Sequence, residues 1–141
     1  MSDEKITRIA AFERKTALIV DDQELIRTML TKLLGALGFA EVVEAADGSD
    51  ALKHLDRRGF DVIICDINME PMGGLDFVSR LRQGANIRFD AKRSRTPVLF
   101  LTGSSEKEDI LGAKGLGVKD YLLKPINAEA LKARLLKMLT A

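Results

Sequence analysis

DVIICDINMEPMGG, residues 61–74, is the stretch that decides the fold: a short apolar run that ends in an aspartate and continues to a glycine pair. Residues 62–65 are apolar at every position, and most of them are β-branched. Unbroken apolar runs of this length indicate strands buried on both faces, as in a parallel sheet covered by helices. The stretch therefore predicts a central strand of an α/β protein, with Asp66 at its carboxyl end.

Similar runs on both sides of this stretch mark further strands. They lie at Thr16–Val20, Glu41–Ala45 (the weakest), 97–101 and 121–123. Apolar residues three and four positions apart follow the runs and indicate amphipathic helices. The clearest stripe consists of Ile26, Leu30, Leu33 and Leu37, widened by Met29 and Leu34. Further helices are predicted around 51–55, 75–81, 110–111 and 131–139, with Asn127 as the cap of the last.

Strands and helices alternate along the chain. This order predicts right-handed crossovers and a doubly wound α/β fold, in which five helices cover both faces of a five-stranded parallel sheet. The sequence predicts one such domain at 16–141, preceded by an N-terminal extension at 1–15. Binding sites in these sheets lie beyond the carboxyl ends of the strands, so the residues that follow each strand are the candidates for function.

The composition is that of an ordinary soluble domain. Of 141 residues, 46% are hydrophobic and 30% charged, and a formal net charge of +1 gives no global attraction to nucleic acid or anionic membranes. The N-terminus lacks a signal-peptide core, and no apolar run approaches the roughly 20 residues of a membrane span. The single cysteine, Cys65, excludes an intrachain disulfide and a cysteine-based zinc site. We expect a cytoplasmic protein, with neither nucleic acid nor membrane as a partner.

Polar residues end four of the predicted strands. Asp21 and Asp22 follow the first strand, Asp66 the third, Thr102 the fourth and Lys124 the fifth. Three carboxylates at one edge of the sheet repel one another unless a cation joins them. Mg²⁺ binds through one or two carboxylates and keeps water or phosphate oxygens in its other positions. A nearby ammonium and hydroxyl suit a phosphate group, so the pattern predicts a magnesium and phosphoryl site.

Four segments resemble the motifs of response-regulator receiver domains of two-component signalling, in particular the single-domain chemotaxis type. They are LIVDDQELIR (18–27), VIICDINMEPMGG (62–74), VLFLTG (98–103) and DYLLKP (120–125). The resemblance extends over residues 16–139, and each motif falls at a strand end that the fold requires. It implies a flavodoxin-like sheet with the strand order 2-1-3-4-5.

The resemblance also implies a phosphoacceptor and a metal site. Asp66 would accept the phosphoryl group as an acyl phosphate. Asp21, Asp22, Asp66 and the backbone carbonyl of Asn68 would bind Mg²⁺, directly or through water.

Three further roles follow from the same resemblance. Lys124 would pair with the phosphate, and Thr102 would donate its hydroxyl to a phosphate oxygen. Tyr121 matches the aromatic residue that changes rotamer on activation, and the bond between Lys124 and Pro125 would be cis.

The implied partners are a phosphohistidine donor, either a sensor histidine kinase or a histidine phosphotransfer protein, and an unidentified effector protein. The chain would then be a switch and not an enzyme, apart from its own phosphorylation and dephosphorylation. A phosphorelay intermediate that passes its phosphoryl group to a histidine phosphotransfer protein is the open alternative, and a homodimer is also left open. A hydrolase of the haloacid dehalogenase type is disfavoured, because it needs an acid where this chain has Asn68. His54, the only histidine, is expected at the surface and not as a phosphate carrier.

Three features depart from the usual receiver pattern. Glu70 stands before the proline of the loop after Asp66, and we expect its side chain to face solvent. The connection at 82–95 is long and basic; we expect a solvated loop, with docking of an acidic partner as the alternative. Residues 1–15 are either disordered or an added helix, whose apolar edge would be Ile6, Ile9, Ala10 and Phe12.

Overall fold

The computed structural model describes residues 8–84, 91–103 and 107–140. Its strands are β1 (Thr16–Val20), β2 (Glu41–Ala45), β3 (Val62–Asp66), β4 (Val98–Thr102) and β5 (Asp120–Leu123). Its helices are α1 (Glu24–Leu37), α2 (Gly48–Arg57), α3 (Gly74–Gln83), α4 (Ala91–Ser94), α5 (Lys107–Gly115) and α6 (Ala128–Thr140). A short 3-10 helix, Ala10–Phe12, precedes β1.

The strands form one parallel sheet in the order β2-β1-β3-β4-β5, which confirms the predicted topology. The strands β3 and β4 each extend one residue beyond the predicted run, to Asp66 and Thr102. Both residues are still paired with a neighbouring strand, Asp66 opposite Leu101 and Thr102 opposite Leu123. The sheet itself therefore fixes the backbone of these two polar residues.

Two apolar layers cover the two faces of the sheet. On β3, Ile63 and Cys65 contact one layer, whereas Val62 and Ile64 contact the other. The first layer is built against α2 and α3, and the second against α1 and α6. Every residue of β3 and β4 is buried, as the unbroken apolar runs predicted.

The termini of the helices follow from local chemistry. The chain leaves α1 at Gly38, whose φ of 113° lies in the left-handed region that favours glycine. The side chain of Asp47 accepts the N–H of Asp50 at the start of α2. Asn127 does the same for the N–H of Ala130, which confirms it as the cap of α6. Met29 was predicted to widen the apolar stripe of α1, and this is wrong, because Met29 is 39% exposed.

The N-terminal extension is integrated into the second apolar layer. Phe12 is fully buried, and its ring lies 4.9 Å from that of Phe39. The N–H of Ile9 donates to the carbonyl of Leu37 at 2.8 Å. The described part of the extension, residues 8–15, contains an added helix only in the form of the three-residue 3-10 helix Ala10–Phe12, and Ile6 lies outside the described residues.

The basic connection after α3 contains α4, so the described residues hold six α-helices where five were predicted. Arg82 is half-buried in the last turn of α3. Its guanidinium donates to the carbonyls of Ser94 (3.0 Å), Thr96 (2.9 Å) and Leu116 (3.3 Å). Burial lowers the pKa of the Arg82 guanidinium. Arg82 therefore holds the backbone of the connection in place and is not a solvated charge.

Arg93 acts in a similar way on the neighbouring helix. Its guanidinium donates to the carbonyls of Leu55 and Asp56 at the end of α2, at 3.2 and 3.1 Å. The expectation of a solvated basic loop is thus wrong for Arg82 and Arg93, because both serve as donors to backbone carbonyls. Residues 85–90 of this connection lie outside the described residues.

We predict that Arg82→Met lowers the free energy of unfolding by roughly 2 kcal/mol, because it leaves three carbonyls without a charged donor. Arg80→Met is the matched control on the same helix, since the Arg80 side chain is 47% exposed and its Nε lies 3.3 Å from Oδ1 of the similarly exposed Asp76. It should cost less than about 0.5 kcal/mol. Urea unfolding of both variants measures the difference, and equal losses would contradict the structural role of Arg82.

Candidate functional site

The polar residues predicted at the strand ends meet at one edge of the sheet. Asp21 follows β1, Asp66 and Thr102 end β3 and β4, and Lys124 follows β5. The carbonyl of Thr102 accepts the N–H of Lys124 at 2.8 Å, so the turn after β5 is tied to the end of β4. The parallel sheet thus brings together residues that are up to 103 positions apart in the chain.

Three carboxylates form the centre of this edge. One oxygen each of Asp21, Asp22 and Asp66 lies within 4.8 Å of the others, close enough to share a metal ion. Asp21 is fully buried and Asp66 is 4% exposed, whereas Asp22 is exposed. The donor set is oxygen only and open to solvent on one side. This chemistry fits Mg²⁺, which prefers carboxylates and retains water molecules.

Lys124 supplies a positive charge at the same place. Its Nζ lies 3.3 Å from Oδ2 of Asp66 and 3.5 Å from Oδ2 of Asp21. The Oε1 of Gln23 also accepts from this ammonium, at 3.4 Å. Gln23 was not among the predicted site residues, because a glutamine at the start of a helix has no distinctive signal.

The environment of Asp66 favours its neutral form in the absence of metal. Burial raises the pKa of Asp66, and the charge of Asp21 raises it further. Lys124 and the N–H of Asn68, which donates to Asp66 Oδ1 at 3.2 Å, act in the opposite direction but do not overcome the rise. A bound divalent cation would favour the ionised carboxylate that a nucleophile needs.

Thr102 and Tyr121 lie on neighbouring strands. Thr102 is 1% exposed at the end of β4, beside the strand that carries Asp66. Tyr121 pairs in register with Phe100 on β4 and is 38% exposed, so part of its ring lies in solvent. Of the two predicted switch residues, Thr102 is therefore buried, whereas Tyr121 on the neighbouring strand is partly exposed.

The loop after β3 closes tightly against Asp66. A Cβ at Gly74 would lie 2.5 Å from the carbonyl oxygen of Asp66, so only glycine fits at the start of α3. The Glu70 side chain is exposed, as expected. The backbone N–H of Glu70 donates to Asp22 Oδ2 at 3.4 Å. The peptide bond before Pro125 is cis, as predicted, and the bond between Glu70 and Pro71 is cis as well.

Residues 17–136 match the family described as the response regulator receiver domain. The chain belongs to this family. Among curated proteins, the receiver is similar to the chemotaxis protein CheY-3 of Vibrio cholerae, with 39% identity over 86% of this chain and 88% of the relative. The predicted family and the doubly wound fold are thereby confirmed.

Solved structures give the same result. CheY4 of Vibrio cholerae has a TM-score of 0.79 and 37% identity, and the match covers 89% of this chain and 99% of CheY4. The receiver domain of the sensor histidine kinase PA1611 from Pseudomonas aeruginosa has a TM-score of 0.77 at 24% identity, with 91% and 99% covered. That structure is described as having a magnesium ion coordinated in the active site cleft. The second likeness shows the fold alone.

Two further reactive side chains are those of Cys65, next to Asp66 in β3, and of His54 on α2. Cys65 is fully buried, and burial raises the pKa of its thiol well above the ordinary value, so it packs as a small apolar residue. His54 is half-buried on α2, 3.9 Å from Asp50. Within the described part of the chain, none of the helices combines the length and the hydrophobicity that a bilayer span requires.

Proposed function

We propose that Asp66 accepts a phosphoryl group from the phosphohistidine of a sensor histidine kinase or a histidine phosphotransfer protein, in a Mg²⁺-dependent reaction. The nearly buried Asp66 carboxylate, 3.3 Å from Lys124 Nζ and clustered with Asp21 and Asp22, is the observation that carries this proposal. The family supports the coarser statement, that the chain is a signalling domain and not a classical enzyme. We place the receiver at 16–141 and treat 1–15 as its N-terminal extension.

The chain's own residues account for the transfer. An oxygen of Asp66 attacks phosphorus as the phosphorus–nitrogen bond to the donor histidine breaks. The electron pair of that bond stays on the histidine nitrogen, and the ring, protonated at its other nitrogen, leaves as neutral imidazole while the phosphoryl group remains on Asp66. Lys124 can follow one of the equatorial oxygens with little movement, since its ammonium already lies beside Asp66 and Asp21. Such transfer depends mainly on position and on neutralised charge.

Mg²⁺ would be held by Asp21, Asp22, Asp66 and the backbone carbonyl of Asn68. When bound, it neutralises charge on the transferred group and on the carboxylates. The oxygen-only donor set supports this assignment. The receiver domain of PA1611 is described with a magnesium ion in its active site cleft. At 24% identity, the likeness to that structure shows the fold alone.

The output would be a changed surface that an effector protein reads. Thr102 would donate to the new phosphate, and the space it vacates would admit the exposed ring of Tyr121. The proposed surface comprises 106–113, 119–122 and 127–132; position 106 lies outside the described residues, and the side chains at 107–110 are also not described.

A beryllium fluoride adduct, a phosphate mimic, tests this output. In the wild type it should shift amide resonances at 119–122 and 127–132, which are remote from Asp66 in the chain. Thr102→Ala should bind the mimic but lose most of the distant shifts, because the hydroxyl that links the two places is missing. Shifts confined to the metal edge and to 73–95 would contradict the proposed surface.

The phosphorelay alternative has the same site chemistry. Incubation of the phosphorylated chain with candidate histidine phosphotransfer proteins separates it from the effector role. Return of labelled phosphate to a histidine would support the relay. A hydrolase is disfavoured, because the exposed Asn68 cannot protonate a leaving group.

A further inference from the structure

Arg27, on the second turn of α1, contacts the backbone of the acidic pair. Its Nη1 donates to the carbonyl oxygen of Asp21 at 2.7 Å, the shortest side-chain contact described at this edge. Its Nε lies 3.2 Å from Oε1 of Glu44 on β2. The Arg27 side chain is only 17% exposed, and its contact with Asp21 is partly buried, whereas its contact with Glu44 is exposed.

The carbonyl that Arg27 holds is outside the sheet ladder. The N–H of Asp21 still donates to the carbonyl of Ala45, at 3.1 Å, but β1 ends at Val20 and β2 ends at Ala45. The carbonyl of Asp21 belongs to the peptide that joins Asp21 to Asp22. Fixing that oxygen therefore fixes the peptide plane from whose two ends the carboxylates extend.

Glu44 has a second donor on α1. Its Oε2 accepts from the hydroxyl of Thr31, one turn beyond Arg27 on α1, at 2.9 Å. The carboxylate is thus bound by two donors on one helix, and this orients the guanidinium towards Asp21.

We propose that Arg27 is a positioning residue of the metal site, which holds the peptide between Asp21 and Asp22, and that Glu44 orients it. This inference rests on the proposed Mg²⁺ site. Residues that orient metal ligands from outside typically affect affinity 10- to 100-fold. We expect Arg27→Gln to weaken Mg²⁺ binding about 10-fold and Glu44→Gln to weaken it less, because that variant retains Arg27.

The experiment is calorimetric titration of the full chain with Mg²⁺, well below the melting temperature of each variant. Arg27→Lys keeps the charge but loses the two-pronged guanidinium, so it should recover only part of the affinity. Lys32→Gln removes a charge from an exposed position of the same helix and should leave the affinity within twofold. A lower melting temperature with an unchanged Mg²⁺ affinity would show a merely structural role and overturn the proposal.

A double-mutant cycle with Asp22→Asn tests the route of the effect. If Arg27 acts by aiming this carboxylate, Arg27→Gln should cost less affinity in the Asp22→Asn background. Full additivity would overturn that route. Should Arg27→Gln fail to fold, Glu44→Gln gives the same test with the guanidinium retained. If the wild type bound no Mg²⁺, the proposed function would be overturned. If the wild type bound Mg²⁺ and Arg27→Gln bound it equally well, only the role of Arg27 would be overturned.

Discussion

Asp66→Asn should accept no phosphoryl group from any donor, because the amide lacks the nucleophilic carboxylate. Among the described acids, Asp66 is the one that both ends a buried strand and lies 3.3 Å from Lys124. Phosphorylation with a labelled small-molecule acyl phosphate and with a phosphohistidine donor measures this. The wild-type label should be labile to base, as an acyl phosphate is. An equal label on Asp66→Asn would place the acceptor elsewhere.

The same substitution should stabilise the fold when metal is removed by a chelator. Burial and Asp21 raise the folded-state pKa of Asp66, so the ionised form is disfavoured by folding. The corresponding contribution to stability is fully present below the ordinary aspartate pKa of about 4 and is lost as the pH rises through the raised pKa. Asp66→Asn lacks this loss, so its advantage over the wild type should appear above pH ~4 and grow as the pH rises through the raised pKa.

Unfolding by urea across this pH range measures the advantage. Asp76→Asn is the matched control, since it removes a carboxylate that is 56% exposed on α3 and leaves the cluster intact. It should change the free energy of unfolding at neutral pH by less than about 0.5 kcal/mol. An advantage of Asp66→Asn that was absent at neutral pH, or that grew towards acid, would contradict the raised pKa.

The strand-end residues could be predicted because they depend on topology alone. An unbroken apolar run fixes the strand, and a parallel sheet aligns the carboxyl ends, so Asp21, Asp66 and Lys124 had to meet whatever their neighbours were. Asp66 also illustrates the limit of a pattern. Its position within the last pair of the β3–β4 ladder depends on hydrogen bonds, which an apolar run does not reveal.

The roles of residues that donate to backbone carbonyls could not be predicted, because such contacts produce no sequence pattern. Arg82 looks like any other cation of a basic connection, yet its partners are carbonyls 12 to 34 positions away. Arg27 has the same character, because its partner is a carbonyl beyond the end of β1. Phe12 precedes the first predicted strand, and only the packed structure shows that the ring completes the second apolar layer.

Removal of Mg²⁺ should abolish phosphotransfer, the largest effect apart from that of Asp66→Asn. Without the ion, the phosphoryl oxygens would approach three carboxylates that lie within 4.8 Å of one another. Among the described residues, Lys124 is the cation within ion-pair distance of Asp66 and Asp21. Transfer from a small-molecule acyl phosphate, measured with excess chelator and again after Mg²⁺ is restored, shows whether the loss is complete and reversible. Full activity in chelator would contradict the metal-dependent mechanism.

Binding of the ion should also stabilise the fold, because the unfolded chain cannot assemble carboxylates from β1 and β3. At saturating Mg²⁺ we expect a gain of roughly 1–3 kcal/mol in the free energy of unfolding. Asp22→Asn separates the two contributions: the exposed ligand is lost, while the buried Asp21 and Asp66 still repel each other without metal. Its gain with Mg²⁺ should therefore be smaller than that of the wild type but not zero. If millimolar Mg²⁺ left the melting temperature of both proteins unchanged, the carboxylate cluster would need an explanation other than a metal site.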